Sequence, residues 1–126
     1  MARSAAQACA EAVQCFIKGK VEEAVALYAE AHAADPVHIG ALRGLAMATA
    51  QADRVDEAVA WAVKLTIAAP EDPMSWATLS MLFQRQGKIK EAEDAQAKAR
   101  VLSWKLQLGA AAGGETGAAG TPRSGG

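Results

Sequence analysis

The chain has 126 residues and a formal net charge of −1, thirteen Lys and Arg against fourteen Asp and Glu, so no global field draws it to nucleic acid or to an anionic membrane. Its length suits one domain with a modest core, and abundant alanine with only 5% aromatic residues favours closely packed helices over a sheet. No run approaches the roughly 18 apolar residues of a membrane span. The opening stretch MARSAAQACAEAVQCF meets Glu11 before the apolar core of a signal peptide can develop, and a cytoplasmic location is expected.

The first predicted helix carries Val13, Phe16 and Ile17 at helical spacing. Its two cysteines, Cys9 and Cys15, lie more than one and a half turns apart on different sides of the helix and cannot bridge each other. They read as small buried hydrophobes. GKVEEA at 19–24 ends this helix and opens a second, with Ala24, Leu27, Tyr28 and Ala31 along one face. His32 and His38 straddle the next turn with no third ligand in sequence reach, so neither metal nor other cofactor is expected. Asp35-Pro36 offers an N-cap and a proline near the start of a third helix, whose apolar residues are Leu42, Leu45, Ala46 and Thr49.

DRVDEA at 53–58 leads into a fourth helix with Ala58, Trp61, Ala62 and Leu65. Asp72-Pro73 repeats the cap signal before a fifth, with Trp76, Leu79 and Phe83, and GKIKEA at 87–92 opens a sixth over about 89–108. The inner stripe of this last helix, Ala92, Ala95, Ala99, Leu102 and Leu106, is expected to pack on the helix before it. A second stripe, Ala97, Val101, Trp104 and Leu108, falls on nearly the opposite face by the 100° helical step. From 109 to 126 the sequence GAAAGGETGAAGTPRSGG is twelve Gly or Ala out of eighteen. It lacks periodicity and reads as a disordered tail.

The three hexamers begin at 19, 53 and 87, a strict period of thirty-four. Gly19 and Gly87 are placed to end the first helix of their pairs in a left-handed conformation. Asp53 at the same place must adopt that conformation at a cost, or its turn differs. Each unit is a helix, a tight turn and a helix, at about 5–38, 39–72 and 73–106 within a domain spanning 1–108. Each pair buries its apolar face only because a neighbour covers it. The acidic pairs Glu22-Glu23, Asp56-Glu57 and Glu91-Glu93 all open a second helix, where they favour the positive end of the dipole. That is a sufficient structural reason for them, and with no Ser–His–acid set or phosphate loop the chain is not expected to be an enzyme.

Helix–turn–helix units with this period resemble the tetratricopeptide repeat. The small residue of that family at the helix crossing matches Ala24, Ala58 and Ala92, and the large residue four later matches Tyr28, weakens to Ala62 and is lost at Gln96. The next small position is Ala31 and Ala99, with Leu65 departing between them. The closing proline is Pro36 and Pro70, replaced by Trp104 in the third unit, and the opening Trp–Leu pair survives best as Trp76 and Leu79. The resemblance covers residues 5 to 106. It implies an all-α, right-handed superhelical α-solenoid of three units and six helices, with a concave groove lined by the first helix of each pair.

By that geometry the groove residues are Cys9, Val13, Arg43, Met47, Gln51, Met74, Met81 and Arg85, above a floor of small residues that includes Ala6, Ala10, Gly40, Gly44, Ala77 and Thr78. The best-known subclass clamps the C-terminal carboxylate of heat-shock chaperones with two Lys, two Asn and an Arg. The five corresponding positions here are Cys9, Val13, Gly44, Met74 and Thr78, and none matches, so a partner of that type is not expected. Flexible, polarisable methionines suit an apolar helix or peptide, and Arg43 and Arg85 would favour carboxylates at its flanks. The expected function is therefore non-enzymatic: an adaptor or scaffold that holds a protein partner in its groove. The alternative is an assembly subunit. On that reading Ala97, Val101, Trp104 and Leu108 form the face that a further repeat would cover, and a homodimer or a larger complex caps it.

Overall fold

The computed structural model describes residues 3–118, with side chains described as far as residue 110. Residues 119–126 of the expected tail lie outside the described part. The helices are α1 (Ala5–Ile17), α2 (Val21–Ala34), α3 (Ile39–Gln51), α4 (Val55–Ala68), α5 (Pro73–Gln86) and α6 (Ile89–Ala118). They pack in antiparallel pairs, α1 with α2, α3 with α4 and α5 with α6, and each pair leans on the next through α2·α3 and α4·α5.

The turn inside each pair is the same structure built three times. Lys20 N–H donates to the Cys15 carbonyl at 2.8 Å, Arg54 to Thr49 at 2.8 Å and Lys88 to Phe83 at 2.9 Å. The residue before each donor is left-handed, with φ of 81° at Gly19 and Gly87 and 68° at Asp53. Asp53 thus accepts the glycine conformation, held by the same closure bond. Ser4 caps α1 in a reciprocal box with Gln7. Asp72 caps α5 by accepting Met74 N–H at 3.0 Å, with Pro73 in the first turn.

The first Asp-Pro pair does not repeat that role. Asp35 terminates α2, and its carboxylate accepts Val37 N–H at 3.3 Å in a local turn. The turn carries the chain three residues further before α3 starts, so His38 is the N-cap, its Nδ1 accepting Ala41 N–H at 3.1 Å.

Ala24, Ala58 and Ala92 are fully buried at the helix crossings. Tyr28, Ala24 and Ala12 of the first unit pack with Leu45 and Ala48 of the second. Ala46, Ala50, Ala58 and Ala62 of the second pack with Leu79 and Leu82 of the third. Polar ties stitch neighbouring units at about the repeat period: Arg54 with Glu22, Gln86 with Asp56 at 2.8 Å, Arg43 with Asp72 at 3.0 Å and Arg85 with Asp53 at 3.5 Å. Such exposed pairs fix register more than they add stability.

Both ends of the array differ from its interior. Where α3 and α5 bury Leu45 and Leu79, α1 has exposed Glu11, and Arg3 bridges it to Glu30 of α2 at 2.7 and 3.2 Å. At the other end, the positions that bury Tyr28 and Ala62, and Thr66, become exposed Gln96 and Arg100 in α6. Among the described residues, these end-face positions are polar or charged where internal units bury a side chain on a neighbour.

Helix α6 outruns its partner. Ser103 lies beside Pro73 at the start of α5, so the following residues pass beyond the body. The described helix continues to Ala118, roughly 22 Å further at 1.5 Å per residue. Ten residues that composition places in the tail, 109–118, therefore continue the helix. Extending a formed helix through alanine is far cheaper than nucleating one, which offsets the glycines there. Leu106, expected on the packed inner stripe, is 58% exposed because α5 has already ended.

Candidate functional site

The first helices of the pairs, α1, α3 and α5, present a row of apolar side chains with no cover. Val13, Met47, Met74 and Met81 are between 38% (Met47) and 57% (Met74) exposed, although each adjoins at least one buried residue on its own helix. Their surface is concave. One cavity of about 330 Å³ is bounded by Val13, Phe16, Tyr28, Gly40, Arg43, Gly44 and Met47. A second, of about 300 Å³, is bounded by Arg43, Met47, Met74, Ala77, Thr78 and Met81. Both are walled almost wholly by carbon, and they share Arg43 and Met47, so they form one groove across three helices.

Small residues make the groove deep. A Cβ on Gly44 would lie 2.2 Å from the ring of Tyr28, so the tyrosine rises from α2 against bare α3 backbone and forms the wall behind it. A Cβ on Gly40 would meet the His38 ring at 3.0 Å and Cys9 Sγ at 3.9 Å. Glycine inside a helix costs about 1 kcal/mol relative to alanine. Here that cost opens space for Tyr28.

Val13, Arg43, Met47, Met74 and Met81 all line the groove. Cys9, Gln51 and Arg85 do not border either cavity. Cys9 is half-buried with its Sγ 3.8 Å from His38 Nδ1, and burial raises its thiol above the ordinary value of 9.0. Gln51 is exposed at the far end of α3. Arg85 turns away, donating to the Ala50 carbonyl at 3.1 Å and pairing with Asp53. The expected flanking arginines are thus engaged within the protein, because each also has a unit boundary to hold. Arg43 keeps one free group, a buried Nε without a partner.

Two lining residues, Phe16 and Tyr28, were not expected in the groove. Phe16 sits one turn after Val13 on the same face of α1, and that spacing was available to read. Tyr28 belongs to a second helix and reaches the groove only through the gap at Gly44.

Ala97, Val101, Trp104 and Leu108 are all exposed, Trp104 at 64%. Internal units show how far a following repeat covers such a stripe. The counterparts of Ala97 and Val101 in α4 are Val63 and Ile67, and Ile67 remains 73% exposed although α5 follows. The stripe faces outward, while the face towards a further unit is the polar one with Gln96 and Arg100.

Among curated proteins, none matches this sequence. Solved structures match closely in fold. The TPR2B domain of yeast Sti1 in complex with a pHsp70 peptide aligns with a TM-score of 0.78 at 21% identity, covering 86% of each chain. The second TPR of Spaghetti bound to the HSP90 peptide SRMEEVD aligns at 0.74 and 21%, covering 78% of this chain and 91% of the other. MamA aligns at 0.82 and 18%, covering 86% of this chain and 63% of MamA. At these identities the likeness establishes the fold alone: a helical solenoid of three repeats. The tetratricopeptide repeat profile matches residues 16–82, more than half of the sequence, and the chain belongs to the tetratricopeptide repeat family.

Proposed function

We propose that this protein is a non-enzymatic interaction module that holds an amphipathic helix or extended apolar peptide of a protein partner in its concave groove, as an adaptor or scaffold. The observation that carries the reading is the continuous groove of two carbon-walled cavities joined at Met47 and Arg43. An apolar side chain entering it leaves water and meets flexible thioethers that adapt to its shape.

Two of the similar structures hold chaperone peptides, but this groove is chemically different from a carboxylate clamp. Cys9, Val13, Gly44, Met74 and Thr78 at the five clamp positions offer no cation to replace the water lost by a terminal carboxylate. Nucleic acid and membrane are not the proposed partners. The net charge is near zero, and among the described residues no helix is long and apolar enough to cross a membrane. The reading places the protein in the cytoplasm.

A second reading, an assembly subunit, draws on the exposed stripe of α6. The two are separated by affinity capture from cells that express the protein, comparing the intact chain with Met47→Glu/Met81→Glu and with Trp104→Glu. The groove reading expects the double variant alone to lose the partner, since it puts charge where an apolar ligand must be desolvated. Wild-type recovery by the double variant, with loss in Trp104→Glu, would assign the contact to α6 instead.

A further inference from the structure

The groove and the stripe of α6 are two uncovered apolar surfaces on different sides of one chain, and their shapes are opposite. The stripe is a helix edge. Val101, Trp104 and Leu108 follow i, i+3, i+7 spacing, the pattern by which one helix anchors in a groove. Trp104 and Leu108 lie past the start of α5, where the helix has left the body and is open to approach from either side. The groove spans three helices, so its length is roughly 20 Å at helix spacings of 8–10 Å. The overhang of roughly 22 Å is long enough to lie along it.

Charge permits the match. Between Ala95 and Gly114 the sequence has Lys98, Arg100 and Lys105 and no acidic residue. Arg100 and Lys105 flank the stripe at about 70° on either side by the helical step. Two such stripes face to face would bring like charges together, which disfavours a symmetric α6–α6 contact. The rim arginines, by contrast, are already neutralised within the protein, Arg43 by Asp72 and Arg85 by Asp53. Cations arriving on α6 therefore meet neutral pairs rather than free cations.

Resting on the groove reading above, we infer that the occupant of the groove includes a second copy of this chain: the end of α6 of one molecule docks, Trp104 first, into the cavities at Met47 of the next. The contact is heterologous, so copies join head to tail into rings or short chains. The exposed parts of the seven side chains involved amount to roughly 600–800 Å², below the 1,200 Å² or more of a stable interface. Association is accordingly weak and concentration-dependent.

Complementation by variants of the full chain tests this. Trp104→Glu removes the helix anchor and leaves the groove, while Met47→Glu/Met81→Glu removes the groove and leaves the helix. All three positions are exposed, and circular dichroism confirms that each variant is folded. In sedimentation runs from about 10 to 500 µM, the wild type should gain mass with concentration and each variant alone should stay monomeric. The two variants mixed should form a one-to-one dimer that grows no further, because only one intact contact remains. A mixture that stays monomeric, or self-association retained by either variant, overturns the inference. A wild type that is monomeric throughout overturns self-docking too, but not groove binding as such, which the capture experiment decides separately.

Discussion

Replacing Gly44 with alanine inverts an ordinary expectation about helices. At a free helical position Gly→Ala stabilises by about 1 kcal/mol. Here the added Cβ would stand 2.2 Å from Tyr28 Cε1 and 2.4 Å from Cδ1 and Cζ, against the 3.5 Å or more of ordinary carbon contact. The ring would have to retreat by about 1 Å from a place where it is buried with Ala12, Ala24, Leu45 and Ala48. Overpacking of this kind costs roughly 1–3 kcal/mol, so after the helix-propensity gain of about 1 kcal/mol Gly44→Ala should destabilise by up to about 2 kcal/mol net. In a Tyr28→Ala background the clash is gone, and the same change should stabilise by about 1 kcal/mol. Urea unfolding followed by far-ultraviolet circular dichroism measures both differences, with an unchanged slope as the check on two-state behaviour. If Gly44→Ala stabilises both backgrounds equally, Tyr28 does not rest on the α3 backbone and the groove wall is misplaced.

Ala58→Leu adds three carbons at a fully buried crossing and should cost roughly 1–3 kcal/mol; a thermal melt unchanged within error would contradict the crossing geometry. Asp53→Gly relieves a left-handed aspartate at φ 68°. It should stabilise by up to about 1 kcal/mol, since the exposed Arg85 pair it loses is worth little; a loss above about 0.5 kcal/mol would show that the pair matters more than the strain. In a Cys15→Ser variant, burial keeps the Cys9 thiol protonated, so its alkylation rate should reach half-maximum only above pH 9.0. Half-maximal alkylation near neutrality would mean that His38 activates the thiol rather than lying beside it.

What the sequence disclosed, and what it hid, follows from how far apart the causes lie. Gly19, Asp53 and Gly87 are local signals at fixed spacing, and the three turns they announce are superimposable in φ and in their closure bonds. The alanine crossings were equally legible, because a close helix approach demands a small residue wherever the chain folds. The groove was legible only as a row of positions. Val13, Met47, Met74 and Met81 were readable from family register, whereas Tyr28 reaches it across a helix boundary that no local period reports. The ion pairs of the arginines were hidden for a similar reason: Arg43 and Arg85 find Asp72 and Asp53 in neighbouring units, about one repeat away in sequence. Likewise Asp35-Pro36 matched Asp72-Pro73 letter for letter, yet the chain makes a turn at 36–37 before α3 and hands the cap to His38. The outward direction of the α6 stripe needed the comparison with Val63 and Ile67 in place, since opposite faces of one helix do not say which of them a neighbour takes.

Site-specific photo-crosslinking decides whether the concave methionines contact the partner. A photoreactive side chain is introduced at Met81 in the groove or at Ile67 on the outer face, in the full chain and in cells that express it. Both side chains are exposed and tolerate the change without repacking the core. A discrete adduct should form from position 81 and disappear when Met47→Glu is added, with none from position 67. Adducts that form from position 67 while position 81 yields none would contradict it.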